Sequence, residues 1–123
     1  THALMHGPTF MGNALACSAA LKSIELFETQ DYMSKIKQIE EITRREMEGF
    51  ADPRIKEIRI MGGCVCLEVY DPAVLQGYQA FAYERGVFSR PFLSYLYAMV
   101  PYIIREEELI RVLDTMKAWF RTR

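Results

Sequence analysis

The chain of 123 residues carries 15 basic and 16 acidic side chains, a formal net charge of −1, and half of its residues are hydrophobic. That length is one domain with enough apolar content for a buried core, and the charge balance gives no basic surface of the kind nucleic acid or an anionic membrane selects. No apolar run approaches the roughly 20 residues that span a bilayer, and no basic-then-apolar leader opens the chain.

Three cysteines stand at 17, 64 and 66. Cys64-Val65-Cys66 is not metal-ligand spacing, and two same-strand neighbours make poor disulfide geometry. The expectation is three reduced, buried thiols in a cytoplasmic protein. Position 1 is Thr1 rather than Met, which fits a piece of a longer chain.

Residues 1–12 read as irregular. His6-Gly7-Pro8-Thr9-Phe10-Met11-Gly12-Asn13 packs two glycines, a proline, a threonine and an asparagine into eight residues. Asn13 is a good N-cap for a helix over 14–28. The small residues of its first half (Ala14, Ala16, Cys17, Ser18, Ala19 and Ala20) predict burial on most sides there. Its later turns read as amphipathic. A second helix over 32–50 sets Ile36, Ile39, Ile42, Thr43, Met47 and Phe50 at helical spacing, with charges on the opposite face.

Asp52-Pro53 turns the chain. Ile58 and Ile60 alternate with Glu57 and Arg59, and Val65, Leu67 and Val69 alternate with Cys64, Cys66 and Glu68. With Met61-Gly62-Gly63 between them, these read as an antiparallel strand pair. Asp71-Pro72 starts a helix predicted to run to Arg85, with Gly86 as its left-handed stop. Short strands are predicted at 87–90 and 95–100, an extended piece at 102–104, and a last helix from Glu106 to about Thr122. Leu109, Val112, Leu113, Met116 and Phe120 share one face of that helix. The order predicts an α+β domain, a small, mostly antiparallel sheet with helices packed against it.

Two places offer chemistry. Gly7 permits close approach of a ligand, Pro8 sets the backbone, and Thr9 offers a hydroxyl and an N–H to an anionic oxygen. The same residues also read as a plain helix-leading turn, and His6 beside them reads more simply as a packed or exposed histidine than as a base. Arg90 is held extended by Pro91 and is followed by Phe92, Tyr95 and Tyr97. It reads either as a bidentate carboxylate clamp or as an ordinary surface arginine. No nucleophile–base pair, carboxylate cluster or metal motif is visible, so no residue is assigned as catalytic.

The strings HGPTFMGNALACSAALKSIELFE and GVFSRPFLSYLYAMVPYII resemble the C-terminal part of the class III, fold-type I aminotransferases, which depend on pyridoxal 5′-phosphate. Within that class they resemble the adenosylmethionine–8-amino-7-oxononanoate aminotransferases of biotin biosynthesis. The pattern H-x-x-T-x-x-G-N is shared across the class; Gly7-Pro8-Thr9 together with Arg90-Pro91-Phe92 and the Tyr-x-Met-x-Pro-Tyr ending narrows it. The resemblance covers essentially the whole chain.

It implies ping-pong transfer of the amino group of S-adenosyl-L-methionine to 8-amino-7-oxononanoate, giving 7,8-diaminononanoate, in a cytoplasmic homodimer. By the resemblance Gly7 lines the amino-acceptor site. Pro8 and Thr9 hold the cofactor phosphate, Thr9 reaching the other subunit's cofactor. Arg90 binds the acceptor's carboxylate and Tyr97 lines the substrate site. Residues 1–12 would be the end of the large cofactor-binding domain segment, and 13–123 the small C-terminal domain.

The family's cofactor-bearing lysine precedes the Gly-Pro-Thr turn, whereas the first lysine here, Lys22, follows it. The 123 residues alone are therefore expected to be inactive. Ala14 and Val100 depart from the class, which has proline at both places. Two other readings stand beside this one: another class III ω-amino acid aminotransferase, which need not keep Arg90, and a non-catalytic α+β binding or dimerisation module.

Overall fold

The computed structural model describes residues 6–122, in two compact units that divide between Tyr32 and Met33. His2 and the first five residues of the 1–12 segment lie outside the described residues.

In the first unit two tight turns lead into a helix. The Met11 N–H donates to the Pro8 carbonyl at 2.9 Å, and the Asn13 N–H to the Phe10 carbonyl at 3.1 Å. Gly12 is the third residue of the second turn and has φ 73°, a left-handed value that glycine adopts without a Cβ clash. Asn13 then caps α1 (Ala14–Thr29), its Oδ1 accepting the Ala16 N–H at 2.9 Å. No residue of α1 is buried: Leu15 is 82 % exposed and Leu21 68 %. The expected buried start is thus corrected: among the described residues this unit has no second element to lie against the small-residue face. Cys17 is likewise exposed rather than buried.

The second unit opens in the first turn of α2 (Tyr32–Met47). Ile39, Ile42, Thr43 and Met47 are buried along one face, and Ile36 and Phe50 are half-buried. Three strands follow in an antiparallel sheet of order β1-β2-β3: β1 (Ile55–Met61), β2 (Cys64–Val69) and β3 (Tyr95–Met99). Gly62 and Gly63 make the tight β1–β2 connection. Gly62 has φ 55° and donates its N–H to Glu40 Oε2 at 2.6 Å, which ties the hairpin to α2.

Alternation sets the two faces of the sheet. Val65, Leu67 and Val69 of β2 and Leu96 and Ala98 of β3 are buried against the helices. Cys64, Cys66, Glu68, Tyr95 and Tyr97 point to the other face, half-buried, and Met99 is exposed there.

The stretch expected to be one helix over 72–85 is two pieces. Asp71 caps a 3₁₀ turn, Pro72–Leu75, and α3 (Tyr78–Tyr83) follows. Gly77, at φ 88°, turns the backbone out of the helical region between them. Gly86, at φ 73°, ends α3 in the left-handed stop that the sequence predicts.

Residues 102–104 form a turn rather than an extended piece, closed by the Ile104 N–H on the Pro101 carbonyl at 3.0 Å. Residues 87–90, expected as a strand, carry no ladder.

α4 (Glu106–Arg121) closes the core. Trp119 is fully buried between Tyr78 and Phe81, with ring centroids 5.6 and 5.1 Å away, and its Nε1–H donates to the Val74 carbonyl at 3.0 Å. Helices on one face of a small antiparallel sheet are the α+β architecture read from the sequence. Among the described residues no helix is long and apolar enough to cross a membrane.

Candidate functional site

The first unit carries Gly7, Pro8 and Thr9, all exposed, at the start of the double turn. Thr9 is the second residue of the turn closed by Met11 on Pro8, a position whose N–H the turn's own hydrogen bond does not use. Among the described residues neither that N–H nor the Thr9 hydroxyl is engaged. No heavy atom lies within 4 Å of the place a Cβ would take on Gly7, so the backbone there is open to close approach. A free hydroxyl, a free N–H and an open glycine are a donor set suited to a phosphate oxygen.

The second unit carries Arg90 and Tyr97, and these two line one cleft of about 520 Å³. A two-residue hairpin turn brings them there. Phe92 and Tyr95 exchange both backbone hydrogen bonds, at 2.8 and 2.9 Å, around Leu93, whose φ is 51°. Hydrogen-bonded pairs in an antiparallel ladder recur every two residues, so a regular hairpin would next pair Arg90 with Tyr97. The ladder does not continue to that pair. In its place the Ser89 hydroxyl donates to the Tyr97 carbonyl at 3.2 Å.

Arg90 is exposed, and among the described residues no hydrogen bond or ion pair engages its guanidinium. Several other arginines of this unit are paired. Arg44 pairs with Glu40, Arg54 with Asp52, Arg59 with Glu57 and Glu68, and Arg105 with Glu107 and Glu108. An arginine that no protein carboxylate engages has its planar fork free for an external one.

Two charged residues of α4 complete the rim, and sequence reasoning passed over both: Glu108 and Arg111. Glu108 is held down to about 2 by the Arg105 guanidinium and by the Arg105 N–H, which donates to Glu108 Oε2 at 3.1 Å, with a further pull from Arg111. Their spacing of three on a helix puts them on one face, a signal the sequence did hold. Ser89 was missed as well. Its signal is a polar residue at a buried position of an alternating stretch, Val87 in, Phe88 out, Ser89 in.

Residues 1–120 match the family model for class III aminotransferases. The chain belongs to this family, whose members use pyridoxal 5′-phosphate. Among particular relatives, the adenosylmethionine-8-amino-7-oxononanoate aminotransferase of Saccharomyces cerevisiae is 35% identical over 116 residues, covering 88% of this chain and 24% of the relative. The enzyme of that name from Corynebacterium glutamicum is 32% identical over 117 residues, covering 94% of this chain and 28% of the relative. The crystal structure of the Methanocaldococcus jannaschii protein of the same name superposes with a TM-score of 0.80 at 25% identity, over 96% of this chain and 30% of that one. The chain thus spans about a quarter of the length of the curated relatives it matches, and its α+β architecture matches a fragment of the fold-type I aminotransferases.

Proposed function

We propose that this chain is the C-terminal part of a pyridoxal 5′-phosphate-dependent aminotransferase of biotin biosynthesis, transferring the amino group of S-adenosyl-L-methionine to 8-amino-7-oxononanoate. The observation that carries the reading is an arginine, Arg90, that no protein carboxylate among the described residues engages and that lines one cleft with Tyr97, in a chain whose relatives at 30–35% identity bear that enzyme's name. The domain boundary follows the same reading, residues 1–12 ending the large cofactor-binding segment and 13–123 forming the small domain. So does a cytoplasmic homodimer.

When bound, the cofactor supplies the electron sink for amino-group transfer. This chain's residues do the holding. Pro8 fixes the backbone of the turn, and Thr9 donates its hydroxyl and N–H to the phosphate of the other subunit's cofactor. Gly7 lets the acceptor pass close to the backbone. Arg90 takes the acceptor's terminal carboxylate through two parallel charge-assisted hydrogen bonds, which orient the nine-carbon chain. Tyr97 covers that chain with its ring.

The test is a substrate comparison in the complete protein that carries this segment. Loss confined to acceptors with the long-chain carboxylate on Arg90→Ala supports the reading. An unchanged acceptor KM, with other ω-amino acids turned over equally well, points to another class III aminotransferase. A wild-type protein without transaminase activity points to a binding or dimerisation module.

A further inference from the structure

We propose that Ser89 is the positioning residue for Arg90, its hydroxyl standing in for the missing backbone ladder. This rests on the reading of Arg90 as the carboxylate clamp. The edge of β3 needs a partner: beyond the Phe92–Tyr95 bridge the next hydrogen-bonded pair of a regular hairpin would be Arg90 with Tyr97, and the ladder there is absent. The Tyr97 carbonyl is instead taken by Ser89 Oγ at 3.2 Å.

Ser89 is a buried side chain in a stretch whose next residue is exposed. It therefore acts as an internal pin one residue from the guanidinium that must reach the ligand. A serine hydroxyl has one proton to donate and two lone pairs. The proton is committed to the Tyr97 carbonyl.

The Ser89 hydroxyl bond thus ties the segment that bears Arg90 to β3. Removing that bond lets the clamp drift, and an orientation error at such a contact is read in substrate binding.

The experiment is a double-mutant cycle in the complete protein, with steady-state kinetics on 8-amino-7-oxononanoate. Ser89→Ala is expected to raise the acceptor KM about fivefold or more, as losing one hydrogen bond does, with kcat changed less than the KM. Ser89→Thr, which keeps the hydroxyl, restores the KM to near wild type. In the Arg90→Ala background Ser89→Ala adds nothing further to the KM, because the group it positions is gone. An unchanged KM for Ser89→Ala in active protein, or an equal increase with and without Arg90, overturns the positioning role alone. Wild-type protein that does not transaminate this acceptor overturns the functional reading and this inference together.

Discussion

Phe92 and Tyr95 exchange two backbone hydrogen bonds, at 2.8 and 2.9 Å, and that single bridge determines what Arg90 faces. A regular ladder would next pair Arg90 with Tyr97, yet none forms there. The reversal of the chain at this bridge still brings two residues seven apart in sequence to the lining of one cleft.

Arg90→Ala is expected to raise the acceptor KM in the complete protein by about 10- to 100-fold, since hydrogen bonds to a charged group contribute about 1.5–3 kcal/mol. Arg90→Lys recovers only part of this, because an ammonium lacks the planar fork. Steady-state kinetics with the carboxylate-bearing acceptor checks both. A lysine variant equal to wild type would show that charge alone, without bidentate geometry, suffices.

Thr9→Val keeps the shape of the side chain and removes the hydroxyl. The expected result is cofactor affinity weakened about tenfold, the scale of one charge-assisted hydrogen bond, measured by titrating the complete protein with pyridoxal 5′-phosphate and following the cofactor's absorbance. Unchanged affinity would remove Thr9 from the phosphate site.

Gly62→Ala tests the β1–β2 hairpin. Gly62 has φ 55°, and a Cβ there would meet Ile36 Cγ2 at 2.9 Å. Left-handed strain in a non-glycine residue costs about 1–3 kcal/mol, and the crowding of Ile36 adds to it. The urea midpoint of the variant should fall accordingly, and a midpoint equal to wild type would mean that α2 and the hairpin shift apart freely.

Glu108 supplies a pH dependence of known sign. Its folded pKa is lowered from 4.5 to about 2, chiefly by the Arg105 guanidinium. A carboxylate depressed on folding contributes stability above its unfolded pKa and loses it as pH falls through the folded one. Glu108→Gln should therefore melt below wild type at neutral pH, by a small margin because the pair is exposed and screened. The gap should close between about pH 4.5 and about pH 2. A gap independent of pH would trace the loss to capping alone.

The elements that periodicity controls were legible in the sequence. The buried face of α2, the alternation of β1 and β2, Asn13 and Asp71 as caps and Gly86 as a stop all rest on interactions within a few residues. The errors share one cause. Residues 87–90 have the composition of a strand, yet strand identity belongs to the pair, and the Tyr97 carbonyl takes the Ser89 hydroxyl in place of a backbone N–H. Gly77 breaks the 72–85 stretch because its backbone adopts φ 88°, which helical spacing does not reveal. The small residues of α1 signal close approach without stating what approaches.

By itself the sequence determined the α+β class, several helix caps and the family, since local propensity and motif spacing are written in adjacent residues. It also named Gly7, Pro8, Thr9, Arg90 and Tyr97 as the residues to examine. Only the tertiary structure decided that Arg90 and Tyr97 line one cleft, that Arg90 has no protein carboxylate among the described residues, and that Ser89 and the rim of α4 belong beside it. Those facts depend on hairpin register and on helix packing, which join residues far apart in the chain through backbone hydrogen bonds and burial that no local pattern encodes.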